Sequence, residues 1–96
     1  MKLNVTILED EAAHAVQLKQ LLETWSKQNN ISISMRHFFN DKDFLGKNYD
    51  KDELFFIDIQ LGRANGMNIA KQLRKDGFGG TIIFLTAFSE YVFDGY

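Results

Sequence analysis

Three apolar runs in this chain end in oxygen-bearing side chains. Val5, Ile7 and Leu8 lead into Glu9 and Asp10. Leu54, Phe55, Phe56 and Ile57 lead into Asp58, and Ile82, Ile83, Phe84 and Leu85 lead into Thr86. Carboxylates crowded together resist simultaneous ionisation, and a hard divalent cation relieves their repulsion. Mg2+ suits such a place, because it accepts a few carboxylates, a carbonyl and several waters in octahedral geometry. The same ion neutralises phosphoryl oxygens during in-line transfer, and an aspartate is a known type of covalent phosphate acceptor. A hydroxyl beside the site, Thr86, would donate a hydrogen bond to a phosphoryl oxygen. Each acid alone has a plainer reading: Asp10 as the cap of a helix starting at Glu11, for instance. It is the joint pattern of two acidic strand ends and one hydroxyl end that points to a site.

Those acids meet only if the elements carrying them align. Residues 3–8 read as a strand. Ala15, Leu18, Leu22 and Trp25 then recur at helical steps, with Leu21 widening the stripe, and Asn29-Asn30 closes the helix. Ile31, Ile33 and Met35 alternate with Ser32, Ser34 and Arg36, the period of a strand with one face exposed. Asn40-Asp41 is placed to cap a short helix carrying Phe44 and Leu45, ended by Gly46. The runs at 54–57 and 82–85 are continuously apolar, as in strands covered on both faces. Between them Met67, Ala70 and Leu73 share a helical face, and Ser89 is placed to cap a last segment from Glu90 to about Tyr96. The order βαβαβαβα predicts a doubly wound α/β fold with a parallel sheet. In the flavodoxin-like strand order, strands 1 and 3 are neighbours and ligands bind beyond their carboxyl ends. Asp10 and Asp58 would then face each other, with Thr86 one strand further along.

Composition narrows the function. The 96 residues suit one domain, and 45% hydrophobic with 25% charged residues is the balance of a globular chain. There are no cysteines, so disulfides and thiolate metal sites are excluded. A net charge of -2 provides no global basic field for nucleic acid. The cluster of Lys71, Arg74 and Lys75 reads as a solvated helix face. No run is apolar enough to span a bilayer and no signal core is apparent, so no membrane partner is expected and the cytoplasm is the expected compartment. Two glycosylation-type triplets, at Asn4 and Asn30, read as chance matches.

At the strand ends the sequence resembles the receiver domain of bacterial two-component response regulators, a CheY-like fold. The resemblance covers all 96 residues. It rests on Leu8-Glu9-Asp10-Glu11, on Phe56-Ile57-Asp58-Ile59-Gln60-Leu61, on Gly66 eight residues past Asp58, and on Phe84-Leu85-Thr86-Ala87. The stretch from Leu85 to Tyr96 is similar to the subgroup carrying a LytTR-type DNA-binding domain. The resemblance implies that a sensor histidine kinase phosphorylates Asp58 and that the output is transcriptional, through a DNA-binding domain outside this chain. It implies Mg2+ held by Asp10, Asp58 and the backbone carbonyl of Gln60, with Glu9 assisting through water. Thr86 would bind a phosphoryl oxygen and Ala87 would leave it room. The domain is expected to be regulatory rather than an enzyme.

Departures from the family pattern are also legible. Gly62 and Arg63 stand where many relatives have a proline-containing loop, so a more mobile loop is expected after Asp58. Glu9 replaces the commoner Asp. The family's phosphate-binding lysine lies on a fifth strand and, with the fifth helix, would fall beyond Tyr96. The strand order expected here is therefore 2-1-3-4, with an exposed fourth-strand edge that invites association with a second chain there or through the C-terminal segment. His14 and His37 read as surface or packing residues, and Trp25, Phe44 and Phe55 as core. Two other functions remain open. A Mg2+-dependent aspartyl-nucleophile phosphatase usually needs an acid two residues past the nucleophile, where this chain has Gln60. A degenerate receiver would only bind partners.

Overall fold

The computed structural model describes residues 2–44, 48–51, 53–61 and 64–85. In chain order these form β1 (Lys2–Leu8), α1 (Ala12–Gln28), β2 (Ser32–Phe38), α2 (Asp41–Phe44), β3 (Leu54–Asp58), β4 (Gln60–Leu61), β5 (Ala64–Asn65), α3 (Gly66–Lys75) and β6 (Ile82–Leu85). The four long strands make one parallel sheet in the order β2-β1-β3-β6. That is the expected 2-1-3-4 order, with β6 as the fourth strand.

The apolar runs explain the layering. In β3, successive side chains point to opposite faces. Phe55 and Ile57 join Leu8, Phe44, Leu61, Ala70, Leu73 and Phe78 in a core under α2 and α3. Phe56 joins Val5 and Ile7 on the other face, where Leu18 and Leu22 of α1 cover them. A strand with both faces covered must be apolar throughout. Phe55 meets Phe44, Tyr49 and Phe78 edge-on at centroid distances of 5.6, 5.4 and 4.9 Å. Each such pair is worth about 0.5–1.5 kcal/mol beyond the area it buries. The last strand is less covered, for Ile83 is 39% exposed.

Helix termini follow local chemistry. Asn40 accepts from the Asp43 amide at 2.8 Å and so caps α2. Asn65 does the same for α3 through Met67. Asn30 takes a left-handed conformation at φ 54 just past α1, where Asn is tolerated. Leu45 and Gly46, expected to end α2, lie outside the described residues, as does the helix expected after Ser89.

One expectation is corrected. Trp25 is 41% and Leu21 69% exposed, not core. The buried seam of α1 runs instead through Ala15 and Ser26, with Leu18 and Leu22 against the core. At about 100° per residue these four fall within an arc of about 80°; Trp25 lies at its border, about 20° beyond Leu18, and Leu21 about 60° beyond Leu18. Gly62 and Arg63, on which the expected mobile loop falls, lie outside the described residues. β4 and β5 pair antiparallel, Leu61 is 1% exposed, and the Gly66 amide donates to the Ile59 carbonyl at 2.7 Å.

Candidate functional site

Strand register brings the acids together. Leu8 of β1 pairs with Ile57 of β3. Because the strands are parallel, the residues following each emerge side by side at the carboxyl end of the sheet. Glu9, Asp10 and Asp58 each offer a carboxylate oxygen, and these oxygens lie within 4.8 Å of one another. Glu9 is buried, Asp58 half-buried and Asp10 exposed. The cap of α1 is Glu11 rather than Asp10, and its side chain makes no capping bond.

Glu9 is held on several sides. Its amide donates to the Phe38 carbonyl at 3.1 Å. Its own carbonyl accepts from Nε2 of His37 at 2.8 Å. Its Oε1 lies 2.9 Å from Nδ1 of His14. Its Oε2 is buried with no hydrogen-bond partner among the described residues. Burial first, then the neighbouring Asp58 carboxylate, push the Glu9 carboxyl up from 4.5 to about 7; His14 pulls the other way. An orphaned buried carboxylate oxygen beside two further carboxylates is what a hard cation would satisfy, and the all-oxygen donor set fits Mg2+.

Asp58 is positioned from behind. Its Oδ1 accepts from the Gln60 amide at 3.1 Å. Gly66 packs against its main chain so closely that an added Cβ would overlap the Asp58 carbonyl oxygen and lie 2.8 Å from Ile57 Cγ2. The glycine spacing noted in the sequence therefore has a steric cause. Leu85 pairs with Asp58, which ends β6 beside the carboxyl end of β3. Thr86 and Ala87 lie outside the described residues.

Similarity to known proteins points the same way. No protein-family model matches the chain. The sensory transduction protein LytT of Bacillus subtilis (strain 168) is 32% identical over 90 residues, 93% of this chain and 36% of LytT. The response regulator TrrA of Thermotoga maritima, solved in complex with Mg2+ and BeF, aligns over 96% of this chain and 76% of TrrA, with TM-score 0.60 and 26% identity. The chain belongs to the response regulator receiver domains. A MaeR response regulator bound to sulfate shares the fold of this receiver at TM-score 0.73 over 95% of the chain and 72% of MaeR, with 20% identity. The receiver spans just over a third of the length of the LytT proteins it matches, 36% and 37%. Among its described residues no helix is long and apolar enough to cross a membrane.

Sequence reasoning missed three features of this receiver. Glu53 is 3% exposed and accepts from Thr6 and from Arg36 Nη2, the latter at 2.9 Å. Its Oε1 accepts from the Asp50 amide at 3.2 Å. This network ties the segment before β3 to β1 and β2. Arg74, read as part of a solvated cluster, instead donates to the carbonyls of Phe78 and Gly80 at 3.0 and 2.7 Å. The third is His14, whose contact with Glu9 follows from a helix turn and a strand end converging. Nothing in its spacing announced it.

Proposed function

We propose that this receiver is a phosphorylation-dependent switch in which Asp58 accepts a phosphoryl group from a sensor histidine kinase. The observation that carries the reading is the convergence of one carboxylate oxygen each from Glu9, Asp10 and Asp58 within 4.8 Å, together with a buried Glu9 oxygen, Oε2, that has no hydrogen-bond partner among the described residues. Asp58 Oδ1 accepts from the Gln60 amide, and the other carboxylate oxygen would make the attack. In the transfer the phosphorus–nitrogen bond of a phosphohistidine breaks and a phosphorus–oxygen bond to Asp58 forms. Asp10, Asp58 and the Gln60 carbonyl would hold Mg2+, and Glu9 would assist directly or through water. Mg2+ so held supplies charge neutralisation for the transferring phosphoryl oxygens. Thr86 would bind one of those oxygens, and Ala87 would leave the group room. In the complete protein the output is transcriptional regulation through a DNA-binding domain outside these residues, in the cytoplasm. Residues 1–96 would belong to the receiver domain.

The test is incubation with Mg2+ and a small acyl-phosphate donor, with Asp58→Asn as control. A stable mass gain mapped to Asp58 and absent from the control is the expected result. Continuous phosphate release over many turnovers would instead indicate a phosphatase. No modification under any donor or kinase would reduce the domain to a partner-binding role. Sedimentation over a concentration series tests association through the β6 edge, which is an outer strand among the described residues.

A further inference from the structure

Both histidines of the chain converge on one residue. His37 holds the main chain of Glu9 through its carbonyl, at 2.8 Å. His14 holds the side chain, with Nδ1 2.9 Å from Oε1. A glutamate has one more rotatable bond than an aspartate, so its carboxylate sweeps a larger volume unless something fixes it. Here the side chain is 4% exposed, and its Oε2 lacks a hydrogen-bond partner among the described residues. His14 itself is not part of the carboxylate group that converges within 4.8 Å. It reaches that group only through Glu9.

We propose that His14 is a positioning residue for the divalent-cation site: donating from Nδ1 to Oε1 of Glu9, it holds that carboxylate so that Oε2 faces Asp10 and Asp58 and receives the cation or a water bound to it. The inference rests on the cation-site reading above. It resembles the way a histidine or carboxylate behind a metal ligand fixes that ligand's orientation and basicity in other sites. The exposed carboxylate of Glu11, 3.4 Å from the same Nδ1, is a competing acceptor that steadies the ring on the solvent side.

The two ways in which His14 can act have opposite signs. An imidazole is neutral or positive, so as a mere nearby charge its removal would strengthen cation binding or leave it unchanged. As a positioning residue its removal weakens binding. The experiment is calorimetric titration of the full chain with MgCl2 at about pH 8.5, where an ordinary histidine is neutral. The variants are His14→Ala, His14→Asn, Glu9→Ala and the double His14→Ala/Glu9→Ala. The Asn amide nitrogen occupies the place of Nδ1 and keeps the donor. We expect His14→Ala to weaken Mg2+ by about tenfold, the lower end for outer-sphere partners of metal ligands. His14→Asn should recover most of that loss, and the double variant should bind no more weakly than Glu9→Ala alone. His14 is 54% exposed, so its replacement leaves the fold intact, which matching thermal melts would verify. Unchanged or tighter Mg2+ binding by His14→Ala overturns the proposal, as does a loss that persists in the Glu9→Ala background. A parent chain that takes up no Mg2+ would instead overturn the cation-site reading itself.

Discussion

Gly66 and Asp58 touch main chain to main chain: a Cβ on Gly66 would overlap the Asp58 carbonyl oxygen and crowd Ile57 Cγ2 at 2.8 Å. The backbone atoms it would meet cannot rotate away as a flexible side chain would. The start of α3 is thus a wall against which Asp58 is set. Gly66→Ala should lower stability by about 1–3 kcal/mol, the usual cost of overpacking, and weaken Mg2+ binding because Asp58 is displaced. Urea unfolding and Mg2+ titration of the same variant measure both. Unaltered values for both would show that the contact relaxes without consequence.

The raised Glu9 carboxyl sets a pH dependence with a definite sign. Its value in the fold is about 7 against an ordinary 4.5, from burial and then from Asp58. An acid with a raised folded value favours the folded state fully below the unfolded value and loses that contribution as pH rises through the folded one. In the metal-free chain Glu9 therefore costs stability as the pH climbs from about 4.5 to about 7. Gln does not ionise, so the melting temperature of Glu9→Gln minus that of the parent should increase across this window in the presence of a chelator. Adding MgCl2 at neutral pH should favour the parent over the variant. A difference that stays flat with pH would contradict the electrostatic description of this residue.

The Arg36–Glu53–Thr6 network fixes where β3 begins. Glu53 is buried and accepts from Arg36, Thr6 and the Asp50 amide. Arg36→Met should cost about 1–3 kcal/mol, because it removes one donor from a buried carboxylate. Glu53→Gln in that background should cost less than in the parent, since the guanidinium that compensates the Glu53 charge is already gone. A double-mutant cycle by urea denaturation reads this coupling, and strict additivity would show that Arg36 and Glu53 do not act as a pair.

The parts of this molecule that repetition encodes were readable from its residues. Alternation in β2, the unbroken apolar runs of β3 and β6, and the helical spacing of Met67, Ala70 and Leu73 made the succession of strands and helices readable. The order of the strands, and with it the meeting of Glu9, Asp10 and Asp58, was what the likeness to flavodoxin-like receivers implied, and it is the order found. What failed was what depends on rotation about an axis or on distant packing. Trp25 and Leu21 fit a broad helical stripe, yet only the narrower face through Ala15, Leu18, Leu22 and Ser26 meets the sheet. Phe78, 4% exposed, is core although it stands outside any periodic run, between Gly77 and Gly79-Gly80. Glu53 looked like any acid before a strand until its partners, 17 and 47 residues away, were placed around it. Local sequence carries no record of such partners.

Everything functional in this account requires Glu9, Asp10 and Asp58 to share a single cation. Titrating the isotopically labelled chain with Mn2+ in place of Mg2+, and following paramagnetic broadening of its amide signals, tests that sharing directly. The account predicts broadening centred on Glu9, Asp10 and residues 58–60, saturating at one equivalent, displaced by excess Mg2+ and abolished in both Asp10→Asn and Asp58→Asn. Diffuse broadening over the acidic surface that survives either substitution would contradict it.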